Sequence, residues 1–363
     1  MQQDKVKITL GGISASMLSC LLGRAQLSKE YSSLFYDEKA IELIERIDYD
    51  VPTNDIPWDG INFNIYRKLS RKLNLPEFGV GTLRAKQFDE KAKAYIAVHP
   101  NASIINIAAG LDTTFYRVDN GTIHWYDLDL PQVIDIRKQL LPEPGRVTYI
   151  AKSLLDPSWC KDIKHTEGGV FIIAGGVFAW FKEAQVKQFF SMIADNFPNG
   201  EIVFDAASRL DDDSKRWIEM FPQEQQDAIR AASEEAWTEA WKDWWERAPQ
   251  YQKDTLYDMI AVLKTPTKPS GREWADIEAW HNHLSDEEKD EVSRELRKAR
   301  LGGVDMWTID DVNKFTKWDN RIVVLEKFPL FKNIPQDSLS AMMQKMIDYY
   351  NESDIFNIIH LRV

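Results

Sequence analysis

Apolar residues recur at helical spacing through the first hundred positions. Met17, Leu18, Leu21, Leu22 and Ala25 mark a helix over Ser14 to Leu27, and Ile41, Leu43, Ile44 and Ile47 repeat the pattern over Asp37 to Ile47. Turn chemistry around Pro52 and Pro57 breaks it, and a further helix is predicted from Arg84 to Val98, ending at Pro100. At residue 103 the period shortens. Ser-Ile-Ile-Asn-Ile (103–107) reads as a buried strand, and strand patterns follow at 122–127, 147–150, 170–174 and 201–206. Helical segments at 131–141 and 183–196 lie between them. Strands alternating with helices predict an α/β fold: a Rossmann-like, mostly parallel central sheet with helices on both faces.

The alternation stops at residue 209. From there to 303 the chain is polar, Trp-rich and helical, with no convincing strand, and Ser285 to Glu288 reads as an N-terminal capping box. Strand patterns return at 321–325 and 355–363. The expected organisation is therefore an N-terminal helical region (1–100), a sheet core (101–208 and 304–363) and an inserted helical subdomain (209–303). The insertion is expected to cover an acceptor pocket or, equally well supported by an aromatic-rich amphipathic helix, to form a dimerisation surface, with Trp237, Trp241, Trp244 and Trp245 gathered towards one broad helical face.

Composition narrows the function. A net charge of −12 would repel a phosphate backbone, which argues against a nucleic-acid partner. No run approaches the ~20 apolar residues that span a bilayer, and the N-terminus lacks the apolar core of a signal peptide, so a cytoplasmic protein without membrane association is expected. Two cysteines, Cys20 and Cys160, form neither a disulfide framework nor a zinc site, and no metal is expected.

Four segments carry chemistry. Asn106-Ile-Ala-Ala-Gly-Leu-Asp112 follows the first sheet strand, where the small residues Ala108, Ala109 and Gly110 would let a ligand approach the backbone; a tight strand-to-helix turn explains them as well. Asp127 and Asp129 close the next strand. An acid about 20 residues beyond the glycine turn can accept from a ribose diol, which suggests a nucleoside-bearing cofactor without separating NAD from S-adenosylmethionine. Ala151 to Asp156 follows the third strand, where Leu154 or Leu155 could pack on a base and Asp156 accept from its amino group, or simply cap the next turn. Gly175 and Gly176 leave the fourth strand among aromatics. They suit a floor under a reacting group or a close-packed turn.

Taken in order, Arg84-x-x-x-x-Asp89, Asn106 to Arg117, Trp125 to Pro131, Ser153 to Trp159, the Gly-Gly-Val-Phe stretch and Ile-Val-Phe-Asp205 resemble the leucine carboxyl methyltransferase family. The bacterial branch similar to tetracenomycin polyketide O-methyltransferases is nearest, over residues 7–208 and 304–363. The resemblance implies an S-adenosylmethionine-dependent methyltransferase. It implies that Arg84 binds the cofactor carboxylate, that Ala108, Ala109 and Gly110 contact its amino acid part, that Asp129 holds the ribose, and that Leu154 and Asp156 meet the adenine. Gly175 is taken with this cofactor set. The chain departs from the family at Ala108, where glycine is frequent, and at Ala15 and Gly175, where acids are. Losing those acids removes candidates for orienting the cofactor amine or a polar acceptor.

Methyl transfer is an in-line displacement whose main need is alignment, and a carboxylate acceptor requires no base. His124, His165 and His360 are the histidines of the core blocks and read as structural; Asp112 and Arg117 read as a structural pair; no catalytic residue is assigned. The expected function is O-methylation of a carboxylate or hydroxyl on a small molecule or natural product. An NAD-dependent oxidoreductase and a cofactor-binding scaffold without turnover stay as alternatives, and oligomeric state is left open.

Overall fold

The computed structural model describes residues 5–8, 16–48, 80–143, 145–208, 218–263, 267–285, 287–289, 291, 292, 295 and 307–363. The proline turns at 52 and 57, Ala15 and the side chain of Trp237 lie outside the described residues. A short parallel pair, β1 (Val6–Lys7) and β2 (Ile47–Asp48), brackets α1 (Ser16–Glu30) and α2 (Glu38–Arg46). Then follow α3 (Arg84–Val98), β3 (Ser103–Ile107), α4 (Thr114–Val118), β4 (His124–Asp129), α5 (Pro131–Leu140), β5 (Val147–Ala151), β6 (Val170–Ala174), α6 (Glu183–Asn196) and β7 (Glu201–Ala207). Next among the described residues come α7 (Gln223–Arg247), α8 (Gln250–Val262) and α9 (Trp274–Asn282). The chain ends with α10 (Asn313–Trp318), β8 (Val323–Pro329), α11 (Ala341–Ser353) and β9 (Phe356–Arg362).

Seven strands form one sheet in the order β5-β4-β3-β6-β7-β9-β8, with β9 antiparallel to both neighbours and the other pairs parallel. Residues of β3 and β6 are buried throughout, and the pleat sends alternate side chains to opposite faces. Ile104, Phe171, Val203 and Ile358 pack with Phe88, Ala92 and Tyr95 of α3 and Met343 and Ile347 of α11. Ile105, Ile172, Phe204 and Ile359 pack with Phe189, Phe190 and Ile193 of α6 and Phe315 of α10. A third cluster joins α1 and α2 to Val133, Ile136 and Leu140 of α5. The strand order reverses at β3, between β4 and β6, and that opens a crevice at their carboxyl ends.

Several elements depart from the sequence pattern. The second sheet strand runs to Asp129 rather than stopping at 127, since Leu128 and Asp129 continue the ladder with Ile150 and Ala151. The strand expected at 321–325 is β8, two residues later. Helix α11 has no counterpart in the predicted elements, because its apolar positions are mainly methionines and tyrosines. Helices α7 to α9 are held by their own cluster of Trp244, Trp245, Leu256, Ile260, Ile277 and Trp280, with Trp241 and Trp274 against it. The capping box is formed: Ser285 N–H donates to Glu288 Oε2 at 2.7 Å, and Glu288 N–H donates to Ser285 Oγ at 3.3 Å.

Candidate active site

The turn after β3 is built on two left-handed residues, Ala108 (φ 52°) and Gly110 (φ 49°). Glycine is required at 110: a Cβ there would lie 3.0 Å from Met17 Cβ of α1, in a conformation side chains resist. Ala108 accepts the same conformation at a cost of about 1 kcal/mol. Two buried arginines hold the turn from below. Arg137 donates to the carbonyls of Gly110 (3.0 Å) and Asp112 (2.8 Å), and Arg24 donates to that of Leu111 (2.7 Å).

Each arginine is fixed by a fully buried aspartate. Arg137 donates twice to Asp127 (2.6 and 3.0 Å), whose other oxygen accepts from Trp125 Nε1 and Asn106 Nδ2. Arg24 donates to Asp37 (3.1 Å), which also accepts from Arg117, Thr113 and, as cap of α2, the amide of Ala40. The expected Asp112–Arg117 pair is not the arrangement found. Arg117 forks onto Asp89 (2.7 and 2.9 Å) and reaches Asp37 (2.6 Å), because α4 turns its side chain towards α3. Asp112 instead accepts from Asn106 Nδ2 and the amide of Thr114, both at 3.1 Å.

Asp129 closes β4 beside the turn. Its Oδ2 accepts from Gly110 N–H and its Oδ1 from Leu130 N–H, both at 2.7 Å, leaving each oxygen capacity for one further donor. Burial holds its carboxyl above the ordinary aspartate range, against the pull of those amides. Arg84, the first residue of α3, lies across the two-glycine turn after β6. A Cβ on Gly176 would come within 2.8 Å of its guanidinium, and one on Gly175 within 2.7 Å of the Phe88 ring. Phe88 thus fills the space an acid at 175 would need. Arg84 donates to Asp205 Oδ2 (3.2 Å), Asp205 Oδ1 accepts from Gly176 N–H (2.5 Å), and Cys20 Sγ sits 3.7 Å from Arg84 Nη2. Burial opposes the guanidinium's charge, but Asp205 and Cys20 outweigh it and hold its pKa up.

These elements enclose a cavity of about 680 Å³. Arg84, Ala108, Ala109, Gly110, Asp129, Leu154 and Gly175 all line it. Asp156 does not: it is exposed and caps the following 3-10 turn by accepting from Ser158 N–H at 2.9 Å, so the capping alternative describes its observed contact. Sequence reasoning gave no role to Asp205, the partner of Arg84, although it closes one of the family blocks. It also missed the lining side chains of Met17, Cys20 and Lys152, whereas Trp180 and Phe181 belong to the aromatic stretch after the fourth parallel strand that was read as a floor to the site. The lining includes no histidine and no residue of the 209–303 segment among the described residues. The His124 and His165 rings stack on each other, and His360 pairs with Glu201.

Residues 18–194 match the family model described as leucine carboxyl methyltransferase. This segment belongs to that family, and its cofactor is S-adenosylmethionine. Two curated relatives are similar. A tetracenomycin polyketide synthesis O-methyltransferase of Streptomyces glaucescens is 29% identical over 200 residues, 55% of this chain and 67% of the relative. An S-adenosyl-L-methionine-dependent methyltransferase of Gibberella zeae is 26% identical over 220 residues, 57% and 70% of the two chains. Among solved structures, a PKMT2 from Rickettsia typhi is 14% identical with a TM-score of 0.36 and covers 72% of this chain. The match spans about half of that longer chain (48%), so the fold assignment rests on the strand order itself.

The lining fits the cofactor. S-adenosylmethionine presents a carboxylate, an ammonium, a sulfonium, a ribose diol and an adenine. The cavity offers a guanidinium at Arg84, carboxylates at Asp112 and Asp129, and an apolar wall that includes Leu128, Leu130 and Leu154. No group of three or more potential metal ligands occurs among the described residues. No helix of those residues is long and apolar enough to cross a membrane.

Proposed function

We propose that the chain methylates an oxygen of a small-molecule acceptor, with a carboxylate or a readily ionised hydroxyl as the receiving group. Arg84 takes the cofactor carboxylate, the Ala108–Gly110 turn its amino acid part, Asp129 the ribose diol, and Leu154 packs on the adenine. Gly175 keeps the floor of the site clear. The bound cofactor supplies a methyl group on a sulfonium, which leaves as a neutral thioether when an acceptor lone pair displaces it in line.

The observation that supports this reading is the make-up of the lining: nucleoside- and zwitterion-binding groups on one cavity, apolar aromatics at Phe88, Trp180 and Phe181, and, among the described residues, no histidine to serve as base. An acceptor that arrives as an anion needs only alignment and exclusion of water, which those walls provide. The helical segment 209–303 is assigned no part in holding the cofactor. Release of S-adenosylhomocysteine, measured against panels of aromatic acids, phenols and amines, tests the proposal. Turnover with acids or phenols is the expected result; turnover confined to amines would overturn it.

A further inference from the structure

We propose that Asp112 is the counter-charge for the cofactor's α-ammonium group, held in place by Arg24; this deepens the reading above and rests on it. The lining holds two carboxylates among the described residues, Asp112 and Asp129. Asp129 stands at the end of β4 with the diol. Of the aspartates that share the buried arginine network under the turn, Asp37 and Asp127 have fully buried side chains, whereas that of Asp112 is 23% exposed, and it opens to the cavity.

The arrangement of its oxygens supports the role. The hydrogen bonds from Asn106 Nδ2 and Thr114 N–H both fall on Oδ2, while Oδ1 faces Arg24 Nη1 at 4.0 Å, beyond hydrogen-bond reach. Arg24 cannot close that gap freely, because its Nε is tied to Asp37 and its Nη2 to the Leu111 carbonyl. Oδ1 therefore keeps acceptor capacity, and an ammonium, which only donates, is the complementary group. Arg24 supplies charge without taking the hydrogen bond. With Arg84 at the opposite charge, the cavity would grip both ends of a zwitterion. Asp112 is a binding residue in this scheme and Arg24 a positioning residue.

Two ligands separate the amino acid contact from the rest of the site: S-adenosylhomocysteine, and 5′-methylthioadenosine, which keeps the nucleoside and thioether but lacks the amino acid. Calorimetric titration of Asp112→Asn should show S-adenosylhomocysteine weakened about ten- to a hundred-fold, the scale of a charge-assisted hydrogen bond, with 5′-methylthioadenosine unchanged. Should the asparagine variant fail to fold, Asp112→Ser removes the charge while a hydroxyl can still cap Thr114, and the same pair of ligands is read on it. Arg24→Lys should weaken S-adenosylhomocysteine alone, in protein that retains parental affinity for 5′-methylthioadenosine. Equal loss of both ligands, or loss of neither, would overturn the assignment. If the parent binds 5′-methylthioadenosine and S-adenosylhomocysteine equally well, the ammonium contact is refuted while the nucleoside site stands. If it binds neither ligand, the cofactor reading falls and this inference with it.

Discussion

Asp129 carries two roles that act on one carboxylate: it fixes the turn by accepting from Gly110 N–H, and in our reading it receives a ribose diol. Burial raises its pKa, so it becomes protonated at a higher pH than an ordinary aspartate, which titrates near ~3.9. Asp112 is shifted the other way, because Arg24 and then Arg117 outweigh its burial. The affinity for S-adenosylhomocysteine should therefore hold near neutral pH and fall on acidification through a midpoint above the ordinary aspartate range. Asp129→Asn should flatten that limb in a binding titration run from pH 7.5 down into the ordinary aspartate range, and a parent profile flat throughout would contradict the assignment. Sequence reading reached Asp129 through its spacing of 19 residues from Gly110, and Arg84 only through family resemblance. Asp112 was legible as an acid but not as a cavity-facing one. Its partner Arg24 sits 88 residues earlier (112 − 24) on α1, and no local spacing links the two.

The elements that make the site are held by ion pairs whose partners come from distant stretches. Asp37 is the clearest case: it caps α2 through Ala40 N–H and receives Arg24 from α1 and Arg117 from α4, with its side chain fully buried. Asp37→Ala removes the cap and leaves two buried guanidiniums short of a partner. The expected loss of stability is about 3 to 5 kcal/mol by denaturant titration at pH 7. A loss below ~1 kcal/mol would show that the network does not tie the N-terminal helices to the turn. Periodicity identified α3, β3, β6 and α6 with their observed limits, because each has an uninterrupted apolar pattern facing one or both cores. It ended β4 two residues early, where Leu128 and the polar Asp129 complete the ladder. The antiparallel direction of β9 was not legible, since strand pattern carries no direction.

At the scale of the whole molecule, the N-terminal region and the sheet core, with the loops and helices that join its strands, furnish every described cavity-lining residue, and α7 to α9 close on their own tryptophan cluster. Of the four tryptophans expected on one helical face, Trp244 and Trp245 are buried in that cluster with Trp241 against it, and the side chain of Trp237 lies outside the described residues. The segment's proposed place is outside the cofactor site. Replacing residues 211–302 with a short Gly-Ser bridge should leave the affinity for S-adenosylhomocysteine unchanged. A marked loss in folded deletion protein would make the segment part of that site. Calorimetric titration of S-adenosylhomocysteine into the parent and Asp129→Ala proteins tests the cofactor site most directly. Saturable one-site binding to the parent, weakened by about 1.5 to 3 kcal/mol in the variant, is the predicted result. Absence of binding to the parent, or equal affinity in the two proteins, would contradict it.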